Sequence, residues 1–134
     1  MIVDASALVA IVRNESDSPR YLEALENTGS ARISAATLFE ATQVVDGFGS
    51  EKMSRAFDQL IRLSGIEVVP FEAEHASVAR DARTRFGKGS GHPACLNFGD
   101  CMSYATAYVA DEPLLFKGDD FAQTDLRPAV ATSA

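Results

Sequence analysis

The chain opens with a short apolar run that ends on an acid. Ile2 and Val3 lead directly into Asp4, and Ala7-Leu8-Val9 then opens a helical pattern. A run of this kind is typical of a central strand in a parallel sheet, where ligands bind outside the carboxyl ends of the strands. Asp4 is therefore either a site residue or the N-cap of the next helix, and this segment alone favours neither interpretation.

The composition predicts one compact domain over residues 1–134, with a frayed tail from about residue 129. A chain of 134 residues, 46% hydrophobic and 23% charged, has the size and balance of a globular domain. It has no apolar run of about 20 residues, the length of a membrane span, and no signal-peptide pattern, so we expect a cytoplasmic protein. Cys95 and Cys101 are too few and too oddly spaced for a disulfide framework or a zinc site.

The net charge of −7 argues against a general nucleic-acid coat, because non-specific binding relies on Lys and Arg. It does not exclude a nuclease, since divalent cations reverse the local field of acids gathered around them. The one basic excess lies on a predicted helix at 72–86 and in the glycine-rich loop after it. A solvated helix face or a contact with phosphates would each explain these cations. The candidate RNA-binding residues are Arg80, Arg83, Arg85, Lys88 and His92.

Strand and helix patterns alternate along the chain. Strands are predicted at 2–3, 32–34, 66–69 and 114–116, with a further edge strand near Leu126. This order predicts an α/β fold with a central parallel sheet of four to five strands and helices on both faces. The β-branched run at 66–69 favours a strand covered on both sides. The helix predicted at 36–48 is expected to turn inward the side chains of Leu38, Thr42, Val45 and Phe48.

Four acids lie at strand-to-helix junctions or in first helical turns of this pattern. They are Asp4, Glu40, Asp100 and Asp119. Because the carboxyl ends of parallel strands share one edge of the sheet, these carboxylates are expected to converge and repel one another. A hard divalent cation such as Mg²⁺ or Mn²⁺ would relieve the repulsion. One or two such ions would activate water for cleavage of a phosphodiester.

Five segments, taken in order over the whole chain, resemble one known family. They are Ile2–Leu8, Glu40, residues 86–94, the block Leu96–Cys101 and Phe116–Phe121. Together these segments resemble PIN-domain ribonucleases of the VapC toxin type, and Asn97-Phe98-Gly99-Asp100-Cys101 is the most specific part.

The resemblance implies a single PIN-like domain that acts as a magnesium-dependent endoribonuclease toxin, with Mn²⁺ as a substitute ion. It also implies a homodimer, an RNA substrate, and a VapB-type antitoxin whose C-terminal segment covers the site. The residues that match the family's catalytic and metal-binding triad are Asp4, Glu40 and Asp100. Asp119 matches a more variable fourth position, Asp120 is the alternative fourth ligand, and Ser6 matches a hydroxyl residue near the metal.

Two other hypotheses compete with this one. The family's glycine-rich loop is usually more basic than here, where Ser90 and Cys95 stand at positions that could hold Arg. The first alternative is therefore an inactive PIN-like scaffold that only binds a partner. The second is a magnesium-binding, receiver-like signalling domain, which needs an acid at the end of the third strand, where this chain has Val69 and Pro70.

Overall fold

The computed structural model describes residues 1–131. These residues form four short strands, six α-helices and one 3₁₀-helix. The strands are β1 (Ile2–Val3), β2 (Arg32–Ser34), β3 (Glu67–Val69) and β4 (Leu114–Leu115). The helices are α1 (Ala5–Val12), α2 (Ser18–Asn27), α3 (Ala35–Gly47), α4 (Glu51–Ser64), α5 (Ala73–Phe86) and α6 (Phe98–Ala110), with the 3₁₀-helix at Phe121–Gln123.

All four strands are parallel, in the order β3-β2-β1-β4. In β1, Ile2 pairs with both Arg32 and Leu114, and Val3 pairs with Leu115. The chain leaves β1 toward β2 on one side and returns as β4 on the other side. The carboxyl ends of β1 and β4 therefore flank the switch point at which such sheets bind ligands.

The sheet is covered on both faces because successive strand residues point to opposite sides. Val3 and Leu115 pack with α1, α2, α3 and α4 in one apolar cluster. Ile2 and Leu114 pack with α5 and α6 in the other cluster. The predicted α/β fold, with a parallel sheet of four strands and helices on both faces, is confirmed.

Two local predictions were wrong. The strand β3 lies at the edge of the sheet, and Val68 is 45% exposed, so this strand is not covered on both sides. A β-branched run indicates a strand but does not say which strand ends at the edge. In α3 the buried residues are Thr37, Ala41 and Val45, whereas Phe48 is 40% exposed. The helix therefore buries a face that is rotated about its axis relative to the predicted face.

The end of the described chain is attached to the sheet. The N–H of Ala129 donates to the carbonyl of Leu114, and the side chains of Ala129 and Val130 pack against the core. These two residues are therefore not part of a frayed tail, and residues 132–134 lie outside the described part. Leu126 adds no strand; an isolated bridge joins Leu114 to Pro128 instead. Within residues 1–131 no helix has the length and apolar character needed to cross a membrane.

Candidate active site

Asp4 lies at the carboxyl end of β1 and is 3% exposed. It caps α1, because its Oδ2 accepts hydrogen bonds from the backbone N–H of Ser6 at 3.0 Å and from the Ser6 hydroxyl at 2.6 Å. Its other oxygen, Oδ1, accepts from the hydroxyl of Ser103 at 2.5 Å. Asp4 is thus both a helix cap and a buried carboxylate held by three donors.

The hydrogen bonds around Asp4 continue into α3 and into the loop after β4. The hydroxyls of Thr37 and Ser103 are 3.2 Å apart and share a hydrogen bond in the core. The Ser6 hydroxyl also accepts from the backbone N–H of Lys117 at 3.0 Å. This chain of bonds links β1, α3, α6 and the loop after β4 to one another, and it orients the Asp4 carboxylate in the absence of a metal.

Glu40 is the sixth residue of α3, one turn later than the first-turn position predicted for it. Its carboxyl group lies against the backbone of Gly99 at the start of α6. Burial and the negative charges of Asp4 and Asp100 raise the pKa of Glu40 to about 7. Glu40 therefore faces the other two acids of the predicted triad.

Asp100 is in the first turn of α6 and takes part in its N-terminal cap. Its backbone N–H donates to Asn97 at 2.8 Å, and its carboxylate accepts from the Asn97 N–H at 3.0 Å. Burial raises the pKa of Asp100 to about 6, although the bond from Asn97 opposes the shift. The charges of Asp4 and Asp120 contribute to this rise of the pKa. The predicted triad is therefore one electrostatically coupled cluster, to which Asp120 belongs.

The two candidates for the fourth acid lie in different surroundings. Asp120 acts on the pKa of Asp100, which places its charge near the triad. Asp119 lines a small cavity of about 200 Å³ together with Asp17, Tyr21 and Lys117. The position of Asp120 favours it over Asp119 as the fourth member.

The cluster offers carboxylate and hydroxyl oxygens, which are the ligand atoms that a hard divalent cation prefers. Among residues 1–131, no three His, Cys, Asp or Glu side chains are arranged as a ready-made metal-binding group. Asp4 is turned toward Ser6 and Ser103, and Asp100 is turned toward Asn97. Burial and neighbouring carboxylates raise the pKa values of Glu40 and Asp100, and no positive side chain of the described residues lowers them. The cluster thus fits a cation by its chemistry and its charge, after a rotation of these side chains.

The predicted RNA-binding residues separate into two groups in the structure. Arg80, Arg83 and Lys88 line a groove of about 470 Å³ between α5 and α6, which reaches Asn97 and Phe98 beside the cluster. Its floor is formed by Phe71, Ala76, Ala79, Leu96, Cys101 and Met102.

Arg85 and His92 lie away from this groove lining. Arg85 forms ion pairs with Asp81 and Asp125 and lies over the ring of Phe86. His92 packs its edge against the same ring and accepts a hydrogen bond from the N–H of Ala94. Both side chains have structural partners, so only three of the five predicted residues share one surface.

The sequence matches known proteins over nearly its whole length. The PIN domain family matches residues 1–126. Ribonuclease VapC28 of Mycobacterium tuberculosis is 48% identical over 130 residues, which cover 97% of this chain and 98% of that protein. The chain belongs to the VapC family of PIN-domain proteins. The resemblance stated from the sequence is therefore confirmed.

Solved structures of VapC proteins share the fold at low sequence identity. The crystal structure of Mycobacterium tuberculosis VapC20, a sarcin-ricin loop cleaving toxin, has a TM-score of 0.72 at 18% identity, covering 95% of this chain and 98% of that one. The structure of VapBC2 from Rickettsia felis, bound to a DNA fragment from its promoter, has a TM-score of 0.72 at 18% identity, covering 95% and 94%.

Three residues around the acids of this VapC-family chain were missed by the sequence analysis. Ser103 donates a hydrogen bond to Asp4, Thr37 shares a hydrogen bond with Ser103, and Gly99 makes room for Glu40. A hydroxyl on the buried face of α6, three residues after Asp100, was the only signal for Ser103. Gly99 belongs to the block that carries the family resemblance, but its contact with Glu40 had no signal in the sequence. Thr37 gave no signal, because its partner Ser103 lies on an element distant in sequence.

Proposed function

We propose that this chain is the toxin of a type II toxin-antitoxin system and a metal-dependent endoribonuclease that hydrolyses RNA phosphodiester bonds. The observation that carries the proposal is the coupling of the partly buried Glu40 and Asp100 with the buried Asp4 in one acidic cluster, in which the Glu40 carboxyl group lies against the first turn of α6. It is supported by relatives that are named ribonucleases and cover nearly the whole chain.

In this proposal Asp4, Glu40 and Asp100 hold Mg²⁺, or Mn²⁺ in its place, with Asp120 or Asp119 as the fourth acid and Ser6 in support. The ion would lower the pKa of a water molecule and stabilise the leaving oxygen of the phosphodiester. Ser6 and Ser103 fix the direction of the Asp4 carboxylate, and Asn97 holds Asp100 at the start of α6. These contacts limit the movement of the acids to small rotations, which is the preorganisation that phosphoryl transfer requires.

The RNA strand would pass along the groove between α5 and α6. Arg80, Arg83 and Lys88 would neutralise its phosphates, and Arg85 and His92 would contribute less because both have partners within the chain. Because the chain as a whole carries a net charge of −7, RNA phosphates would bind where positive side chains are concentrated, which is this groove.

We also propose a VapB-type antitoxin, a homodimer and a cytoplasmic location. Exposed apolar side chains are available for protein partners, among them Phe39 at 64%, Leu63 at 74% and Phe98 at 83% exposure. VapBC2, which shares the fold, was solved as a VapBC pair, which supports the antitoxin partner. A monomeric mass for the purified chain at micromolar concentration would contradict the dimer.

The alternatives are weaker. The receiver-like hypothesis needs an acid at the end of a central third strand, but β3 is an edge strand that ends at Val69 before Pro70. The inactive scaffold has no support in the acidic cluster, which brings together Asp4, Glu40 and Asp100.

The test is incubation of end-labelled RNA with the purified chain in Mg²⁺, in Mn²⁺ and in chelator. We expect cleavage only with metal, and products free of 2′,3′-cyclic phosphate, since water rather than the neighbouring 2′-hydroxyl attacks phosphorus. Cleavage that persists in chelator, or cyclic phosphate ends, would refute metal-dependent hydrolysis. No cleavage with either metal would favour the scaffold.

A further inference from the structure

Gly99, in the first turn of α6, lies against the side chain of Glu40 on α3. A Cβ atom built on Gly99 would overlap the side chain of Glu40, with the carboxyl carbon and both carboxyl oxygens within 2.8 Å of it. These are the three nearest atoms to that Cβ. The space that a side chain at position 99 would fill is therefore occupied by the Glu40 carboxyl group.

The backbone of Gly99 gives no separate reason for a glycine. Its φ lies outside the left-handed region, in contrast to Gly65, Gly89 and Gly118. Gly99 is in the first turn of α6, and Ala favours a helix more than Gly does. A requirement for glycine at this position thus comes from Glu40 and not from the conformation of the chain.

The position of the Glu40 carboxyl group matters because of its neighbours. It lies against the residue next to Asp100, and the charges of Asp4 and Asp100 both act on it. A methyl group at position 99 would force the Glu40 side chain to move its carboxyl group from this place, since the α3 backbone is anchored by the buried Thr37 and Ala41.

We propose that Gly99 is a positioning residue, whose missing side chain gives the Glu40 carboxylate its place in the acidic cluster. The metal-binding part of this role rests on the proposed function. Gly99 itself touches neither substrate nor metal and acts only through Glu40.

The first test compares Gly99→Ala with wild type by calorimetric titration of Mn²⁺. Loss of the correct position of one ligand is expected to weaken Mn²⁺ binding about 10- to 100-fold, as for other residues that orient metal ligands. Gly47→Ala is the matched control, since a Cβ there meets nothing within 4 Å. It should leave the Mn²⁺ affinity unchanged.

The second test is a thermal double-mutant cycle without metal, using wild type, Gly99→Ala, Glu40→Ala and the double variant. The change in Tm that Gly99→Ala causes should be more positive in the Glu40→Ala background than in wild type, because in that background no carboxyl group overlaps the added methyl group. Additive Tm changes, or an unchanged Mn²⁺ affinity in Gly99→Ala, would overturn the proposal. A wild-type chain that binds no Mn²⁺ would also overturn it, whereas one that binds Mn²⁺ yet cuts no RNA would contradict only the proposed function.

Discussion

The hydroxyl of Ser103 on α6 donates to the carboxylate of Asp4 at the end of β1, although the two residues are 99 positions apart in the chain. Asp4 is the most buried acid of the cluster and Ser103 is 1% exposed, so water does not replace this bond readily. The contact joins the first strand to the helix that carries Asp100. The geometry of the acidic cluster therefore depends on how α6 packs on β1.

Ser103→Ala should weaken metal binding and RNA cleavage about 10- to 100-fold, because Asp4 loses the donor that orients one of its oxygens. It should also lower the free energy of unfolding by about 1–3 kcal/mol, since Asp4 and Thr37 both lose a buried partner. Metal titration and denaturant unfolding measure the two effects. The control is Ser54→Ala, which removes a serine-to-aspartate hydrogen bond to Asp46 on an exposed surface. An equal loss of cleavage in both variants would contradict the role of Ser103.

The stability of the metal-free protein should fall as the pH rises from about 5 to about 8. The pKa of Glu40 is about 7 and that of Asp100 about 6 in the folded chain, above their ordinary values of 4.5 and 3.8. The folded state thus binds more protons than the unfolded state over this interval, and ionisation destabilises it. Added Mg²⁺ should raise Tm more at pH 8 than at pH 6, because the ligands must be deprotonated. Scanning calorimetry at pH 6 and pH 8, with and without Mg²⁺, measures the direction of both Tm changes.

Glu40→Gln should stabilise the metal-free protein at pH 8 while it abolishes the stabilisation by Mg²⁺. The neutral amide removes the repulsion with Asp4 and Asp100, an effect on the order of 1 kcal/mol after allowance for solvent screening of a half-buried group. At pH 5 the variant and wild type should have nearly equal Tm values, since Glu40 is then protonated. A lower Tm than wild type at pH 8 would show that Glu40 is not in a repulsive cluster.

Asp120→Asn should weaken metal binding and cleavage more than Asp119→Asn does. The charge of Asp120 acts on Asp100, whereas Asp119 lines the separate cavity with Lys117. Titration of Mn²⁺ into the two variants compares matched changes at adjacent positions. The reverse order of effects would make Asp119 the fourth ligand.

The groove between α5 and α6 predicts which cations contact RNA. Arg80→Ala and Arg83→Ala should each reduce the slope of log affinity against log salt by about 1. Arg85→Ala should change this slope less, since its guanidinium is paired with Asp81 and Asp125. Arg55→Ala on α4 is the control, an exposed arginine outside the groove. Binding of labelled RNA in chelator at several salt concentrations gives the slopes without cleavage.

Local features of the site were predictable from the sequence, and contacts between distant elements were not. The place of Asp4 after a strand and before a helix is recognised from adjacent residues alone, because strand ends and caps are local. The bond from Ser103 to Asp4 depends on the packing of α6 against β1, which no local pattern encodes.

The choice between Asp119 and Asp120 has a similar cause. The charge of Asp120 acts on Asp100 whereas Asp119 lines a separate cavity, and no local sequence pattern distinguishes two adjacent acids. The exposed edge position of β3 likewise follows from strand order, which is set by all the crossovers together.

The most direct test of the central claim is the cleavage rate of Asp4→Asn beside wild type, with the same RNA, in saturating Mg²⁺. Asn keeps the shape of Asp4: its single oxygen can accept from Ser6, and its NH2 group can donate to the hydroxyl of Ser103, which then donates to Thr37. It lacks the negative charge that a metal ligand supplies. We expect a variant with the fold and Tm of a native protein and no detectable cleavage. Cleavage by Asp4→Asn at the wild-type rate would contradict the assignment of the acidic cluster as the active site.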